Sequence, residues 1–108
     1  MKKVSWTKTA LDDLDGIREF IARDSIYYAE KLVDDVFAKV DNLEIFPEMG
    51  RIVPERNDPN FRELIFGSYR IMYKIDGKCC IVTTIIHGKR LYHPDEMPSE
   101  KYADGFIC

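Results

Sequence analysis

No stretch of this 108-residue chain approaches the ~20 consecutive apolar residues that a bilayer-spanning helix needs, and the two lysines behind Met1 are followed by neither an apolar segment nor a small-residue cleavage site. A membrane span and a secretion leader are not expected, and the cytoplasm is the expected location. Cysteine is scarce: there are three, with Cys79 and Cys80 adjacent, so that in a strand their side chains would point to opposite faces. That spacing argues against a disulfide framework and for two core thiols, leaving Cys108 as the exposed one. CxxC, HxxxH, a glycine-rich phosphate loop and a GxSxG elbow are all absent from the sequence, and His87 and His93 with Asp95 and Glu96 lack metal-ligand spacing. No metal and no cofactor is expected. Nor is there a basic excess: 16 Lys and Arg against 19 Asp and Glu give a net charge of −3, unlike many nucleic-acid binders.

What is present is the composition of one small globular domain, 45% hydrophobic and 32% charged, too short for a two-domain enzyme. The charge is segregated. Residues 1–49 hold seven basic and eleven acidic side chains, residues 50–93 eight and four, and residues 94–108 one and four. The positive middle can face an anionic partner, while the acidic flanks oppose indiscriminate binding to polyanions. A single domain over residues 1–93 with an acidic tail over 94–108 follows.

The pattern predicts a short strand at residues 3–6 and then two helices. Thr7 is placed to cap the first, in which Ala10, Leu14, Ile17 and Ile21 recur at spacings of four and three. Gly16 interrupts it, as if another backbone packed close. Arg23-Asp24-Ser25 ends that helix and caps the next, whose stripe runs through Ala29, Leu32, Val33, Val36, Phe37, Val40 and Leu43. The short link makes the two antiparallel. Residues 47–59, with three prolines, read as a surface loop.

Strands follow, at residues 61–66, 69–75 and 79–86. Asp76-Gly77 between the last two is a preferred type I′ pair, and as the turn it would set Tyr73 opposite Cys80, Ile71 opposite Val82 and Arg70 opposite Thr83. The fold class is therefore α+β: a short N-terminal strand and an antiparallel helical hairpin packed on an antiparallel sheet of three further strands.

Chemistry-bearing residues are few. Arg62 and Arg70 are expected to project from neighbouring strands on the exposed sheet face, with Arg90 beyond the last strand. Permanently charged guanidiniums of this kind bind phosphates or meet charge developing on a transferring phosphoryl group. His87 could act as an acid or base near neutral pH.

Together, Trp6-Thr7, Ala10, Asp13-Leu14, Ile17 and Phe20-Ile21-Ala22-Arg23-Asp24 resemble the opening of the RelE/ParE superfamily of toxins from type II toxin-antitoxin modules. The likeness continues through Leu43, Pro47, Gly50-Arg51, Val53-Pro54-Glu55, Arg62-Glu63-Leu64, Tyr69-Arg70-Ile71-Met72-Tyr73 and Ile86-His87-Gly88-Lys89-Arg90. The resemblance implies a cytoplasmic toxin with the α+β fold. It also implies a cognate antitoxin that wraps the toxin with an amphipathic helix and an added strand, any oligomer forming through that complex.

Two activities belong to the superfamily. ParE-like members inhibit DNA gyrase; RelE-like members are endoribonucleases that cut mRNA on the ribosome. The Arg51-x-Val53-Pro54-Glu55 loop and His87-Gly88-x-Arg90 look more like ParE, and Phe61-Arg62-Glu63-Leu64 lacks the lysines of a RelE-like first strand. Gyrase inhibition ranks first, the ribonuclease second, and an inactive homologue that serves only as a binding partner third. The resemblance makes Arg51, Arg62, Arg70, Lys89, Arg90 and Tyr92 the candidates for binding the target or nucleic acid. If the chain is a ribonuclease, Arg70 and Arg90 would stabilise charge and His87, or His93, would move the proton.

Overall fold

Thr7 sets the start of the helical layer. In the computed structural model, which describes residues 1–88, its side chain accepts from the Ala10 backbone N–H at 3.1 Å and caps α1, Lys8–Ala22. The same hydroxyl donates to the Thr83 carbonyl at 2.8 Å, which ties the helix start to the sheet. Ser25 repeats the device, accepting from Tyr28 N at 3.2 Å to open α2, Ile26–Asp41. A 3₁₀ turn over Asn42–Glu44 ends the helical layer.

Five strands form one sheet: β1 Lys3–Trp6, β2 Arg51–Ile52, β3 Phe61–Phe66, β4 Tyr69–Asp76 and β5 Cys79–His87, in the order β1-β5-β4-β3-β2. The three long strands form the expected antiparallel meander. β1 joins β5 in parallel, so the sheet is mixed. Two helices separate β1 from the meander, and a connection that long lifts the antiparallel constraint of a tight hairpin. The loop expected over residues 47–59 contributes β2, a two-residue edge strand beside Glu63 and Arg62.

Ala10 and Leu14 of α1, Val36 and Val40 of α2 and Leu43 pack on Leu64, Ile71, Tyr73, Cys80, Val82 and Ile85, forming the core between helices and sheet. This is the α+β layering that the periodicity predicted. Cys80 is a free thiol whose pKa burial raises. The adjacent Cys79 points to the other face and is disulfide-bonded, which corrects the expectation of two core thiols. Gly16 is exposed, and a side chain there would meet nothing within 4 Å, so no close backbone explains it.

The last hairpin has a different register from the one predicted. Asp76 pairs with Cys79, so Gly77 and Lys78 form the turn, with Gly77 at φ +56° in the first central position. A glycine there suits a type II′ turn, whereas an Asp76-Gly77 turn would put it second. A β-bulge then shifts the ladder again. Tyr73 pairs with Val82 but Met72 with Thr84, leaving Thr83 as the extra residue of β5; Ile71 and Arg70 consequently pair with Ile85 and Ile86. The bulge is held from α1, where the Asp13 carboxylate accepts from the Thr84 hydroxyl and from Ile85 N.

β2 covers only Glu63 and Arg62 of β3, so Leu64, Ile65 and Phe66 lie beyond its reach. There the Lys39 ammonium, reaching across from α2, donates to the Ile65 carbonyl at 2.8 Å.

Candidate functional site

Strand parity separates the two arginines that the sequence placed together. Arg62 pairs with Tyr73, whose ring lies in the core facing the helices, whereas Arg70 shares the opposite face with Met72 and Glu63. The expectation of a shared exposed face is therefore wrong. Arg62 and Arg70 stand at an even separation in sequence, but the turn at Gly67-Ser68 reverses the chain between them. Phe66 pairs with Tyr69, so Arg70 lies opposite Ile65, and Arg62 is on the other parity.

Arg62 is half-buried and spans the base of the β2–β3 loop. Its Nε donates to Pro59 O at 2.9 Å, and its Nη1 to Gly50 O at 2.9 Å and Glu48 O at 3.3 Å. Tyr73 holds the same segment from the core. Its hydroxyl donates to Pro47 O at 2.7 Å and accepts from Gly50 N at 3.0 Å, and burial pushes its pKa up to about 12.

Arg70 is buried, with 7% of its side chain exposed, between two carboxylates. Glu63 sits diagonally across from it on β3. It accepts from Nε at 2.7 Å and from Nη2 at 2.9 Å, with no exposed side-chain surface. Glu55, in the loop after β2, accepts from Nη1 at 2.8 Å and Nη2 at 2.9 Å. Both contacts are bidentate and charge-assisted, the strongest form of arginine recognition. Glu55 first and Glu63 second hold the guanidinium pKa well above the usual arginine range. Arg51 completes the group: its Nε lies 3.4 Å from Glu63 Oε1 while most of its side chain is exposed. Among the described residues the cluster holds two arginines and two carboxylates, whose charges sum to zero.

Beside it lies a cavity of about 290 Å³ lined by Arg51, Ile65, Gly67, Ser68, Tyr69, Arg70, His87 and Gly88. His87 is exposed and meets the Tyr69 ring edge-on, with centroids 5.8 Å apart. The structure thus brings Arg51, Arg70 and His87 around one cavity and sets Arg62 elsewhere. Lys89, Arg90, Tyr92 and His93 lie outside the described residues. The carboxylates of Glu55 and Glu63 were missed as partners of Arg70. Glu63 was detectable, because a two-residue turn at Gly67-Ser68 places it diagonal to Arg70. Glu55 reaches the site only through the path of its loop.

Residues 4–92 match the sequence profile described as the ParE toxin of type II toxin-antitoxin systems, parDE. This chain belongs to that family. A curated relative, Toxin RelE2 of Caulobacter vibrioides (strain ATCC 19089 / CIP 103742 / CB 15), is 32% identical over 92 residues, which cover 84% of this chain and all of the relative. Both names fall within the RelE/ParE superfamily of toxins that the sequence motifs resemble. Among solved structures, a chain of the chromosomal ParDE system from P. aeruginosa superposes with a TM-score of 0.67 at 24% identity, covering 81% of this chain and 96% of that one. A chain of the RelBE2 toxin-antitoxin complex from Mycobacterium tuberculosis gives 0.53 at 20%, covering 80% and 96%. At those identities the two structures attest the fold alone.

Proposed function

We propose that this ParE-family toxin acts in the cytoplasm on DNA gyrase rather than on mRNA and is neutralised by a cognate antitoxin. The observation that carries this reading is the engagement of Arg70. Cleavage of RNA by its own 2′-hydroxyl needs a cation to meet charge developing on the phosphorus, with groups to take and give a proton. A buried guanidinium already gripped bidentately by Glu55 and Glu63 must give up a carboxylate before it can do this. Arg62 is likewise committed, to three backbone carbonyls. Both arginines are better understood as parts of a rigid scaffold that presents a protein-binding surface.

Exposed apolar side chains support a protein partner. Phe20 near the end of α1 and Ile26, Tyr27 and Tyr28 at the start of α2 are each at least 63% exposed, a concentration that suits the apolar face of an antitoxin helix. The uncovered part of β3 offers a place for an added strand.

The ribonuclease is the second reading, favoured by the name of the curated relative and by His87 standing beside Tyr69 on the cavity that Arg70 also lines. In that case Arg70 and Arg90 would stabilise charge and His87 would move the proton. A purified-component assay separates the two. The toxin should block supercoiling by gyrase and leave mRNA intact on programmed ribosomes; cleavage on the ribosome with gyrase unaffected would reverse the order. Unimpaired growth on expression without the antitoxin, with folded protein confirmed, would favour the inactive homologue.

A further inference from the structure

The two carboxylates on Arg70 are not equivalent. Glu63 projects from the middle of β3, is fully buried, and also faces Arg51, so it belongs to the sheet. Glu55 comes from a loop, has 23% of its side chain exposed, and grips the Nη1 and Nη2 end of the guanidinium. A carboxylate seated on two parallel N–H donors has the geometry and charge of two oxygens of a phosphate. Arg51 stands beside this seat and His87 lines the same cavity.

From this we infer that Glu55 is an internal occupant of an oxyanion seat at Arg70, and that its charge is what keeps the phosphates of a nucleic acid out. The proposal deepens the gyrase reading by naming the residue that denies the site a polyanion. Among the described residues, the charges of Arg51, Arg70, Glu55 and Glu63 sum to zero; with Glu55 replaced by a neutral side chain, the same four positions carry one positive charge. Glu55 is in these terms a specificity-determining residue, selecting against RNA by filling and neutralising the seat.

The test uses the full chain as wild type, Glu55→Gln and Glu55→Ala. Binding is read by anisotropy with a labelled ten-nucleotide single-stranded RNA, and by calorimetry with inorganic pyrophosphate, at two salt concentrations. Folding is checked by circular dichroism and melting. Glu55→Gln is expected to bind the RNA at least tenfold more tightly than wild type, with a log–log salt slope steeper by about 0.7, as one additional phosphate contact gives on a single strand. Pyrophosphate binding in parallel would identify a seat for phosphate as such; RNA binding alone would identify a seat that needs the flanking strand. Folded variants that bind neither probe better than wild type would overturn the proposal. So would loss of folding in both variants, since an occupant that cannot be exchanged is a structural pin. These readouts do not involve gyrase or ribosomes, so their failure is separable from failure of the proposed function.

Discussion

The Tyr73 hydroxyl lies 3.0 Å from the Gly50 nitrogen, and a β-carbon added at Gly50 would stand 2.7 Å from that same oxygen and 2.6 Å from the Glu63 carbonyl. The tyrosine therefore excludes any larger residue at the position it holds. Tyr73→Phe would leave the Gly50 N–H and the Pro47 carbonyl without this partner, at a cost of about 1–3 kcal/mol. Urea denaturation measures it. The phenol also gives a pH signature. Its folded pKa, about 12, lies above the ordinary value of 10.0, so the unfolded chain loses this proton first. The stabilisation is whole below pH 10 and is lost as pH rises toward 12. Wild type should lose more stability across that window than Tyr73→Phe; equal slopes would show that the phenol is not shielded.

Gly16→Ala should stabilise the protein. The site is exposed inside α1 and nothing lies within 4 Å of the added methyl, so only the helix propensity gain of roughly 1 kcal/mol remains. The expected result is a melting temperature raised by a few degrees at this chain length. A lower one would mean that α1 is bent or contacted at Gly16.

Arg70→Ala should unfold or strongly weaken the chain before it reveals anything about activity. Removing the guanidinium leaves the buried Glu63 carboxylate, among the described residues, with the exposed Arg51 at 3.4 Å as its one cation, and breaking a buried ion pair in this way costs about 3–5 kcal/mol. A melting curve recorded beside the growth assay checks this. If Arg70→Ala melts like wild type but loses toxicity, the arginine works on a target and not on the fold.

Tyr27→Ala and Tyr28→Ala should leave the melting temperature nearly unchanged, because both rings are exposed and meet each other edge-on, with centroids 5.3 Å apart. Each should weaken binding of the cognate antitoxin by roughly 2 kcal/mol, about thirtyfold, if it anchors the interface. Calorimetry with the purified antitoxin reads this directly. Full affinity in the double variant would move the antitoxin elsewhere on the surface.

Local chemistry carried most of the fold. Thr7 and Ser25 cap the helices where the sequence placed them because a cap depends on residues within one turn. Val36 is buried because helical periodicity fixes its phase over many residues. The register of β4 on β5 was not legible: it depends on which residues close the turn and on a bulge at Thr83 that Thr7 and Asp13 hold from α1, more than 70 residues away in sequence. The same limit hid the site. Arg70 was visible, but its face depends on the turn at Gly67-Ser68 and its charge balance on where the loop from Val53 delivers Glu55. Sequence order does not encode either distance.

The ammonium that Lys39 lays on the Ile65 carbonyl has a consequence for how this sheet meets others. Ladder growth along this border needs that acceptor, and the lysine already occupies it. A charged lysine at an open edge is one of the devices by which sheets resist edge-to-edge pairing. An added strand must displace the lysine before its backbone can pair there, and a carboxylate on that strand would give the displaced ammonium a new partner.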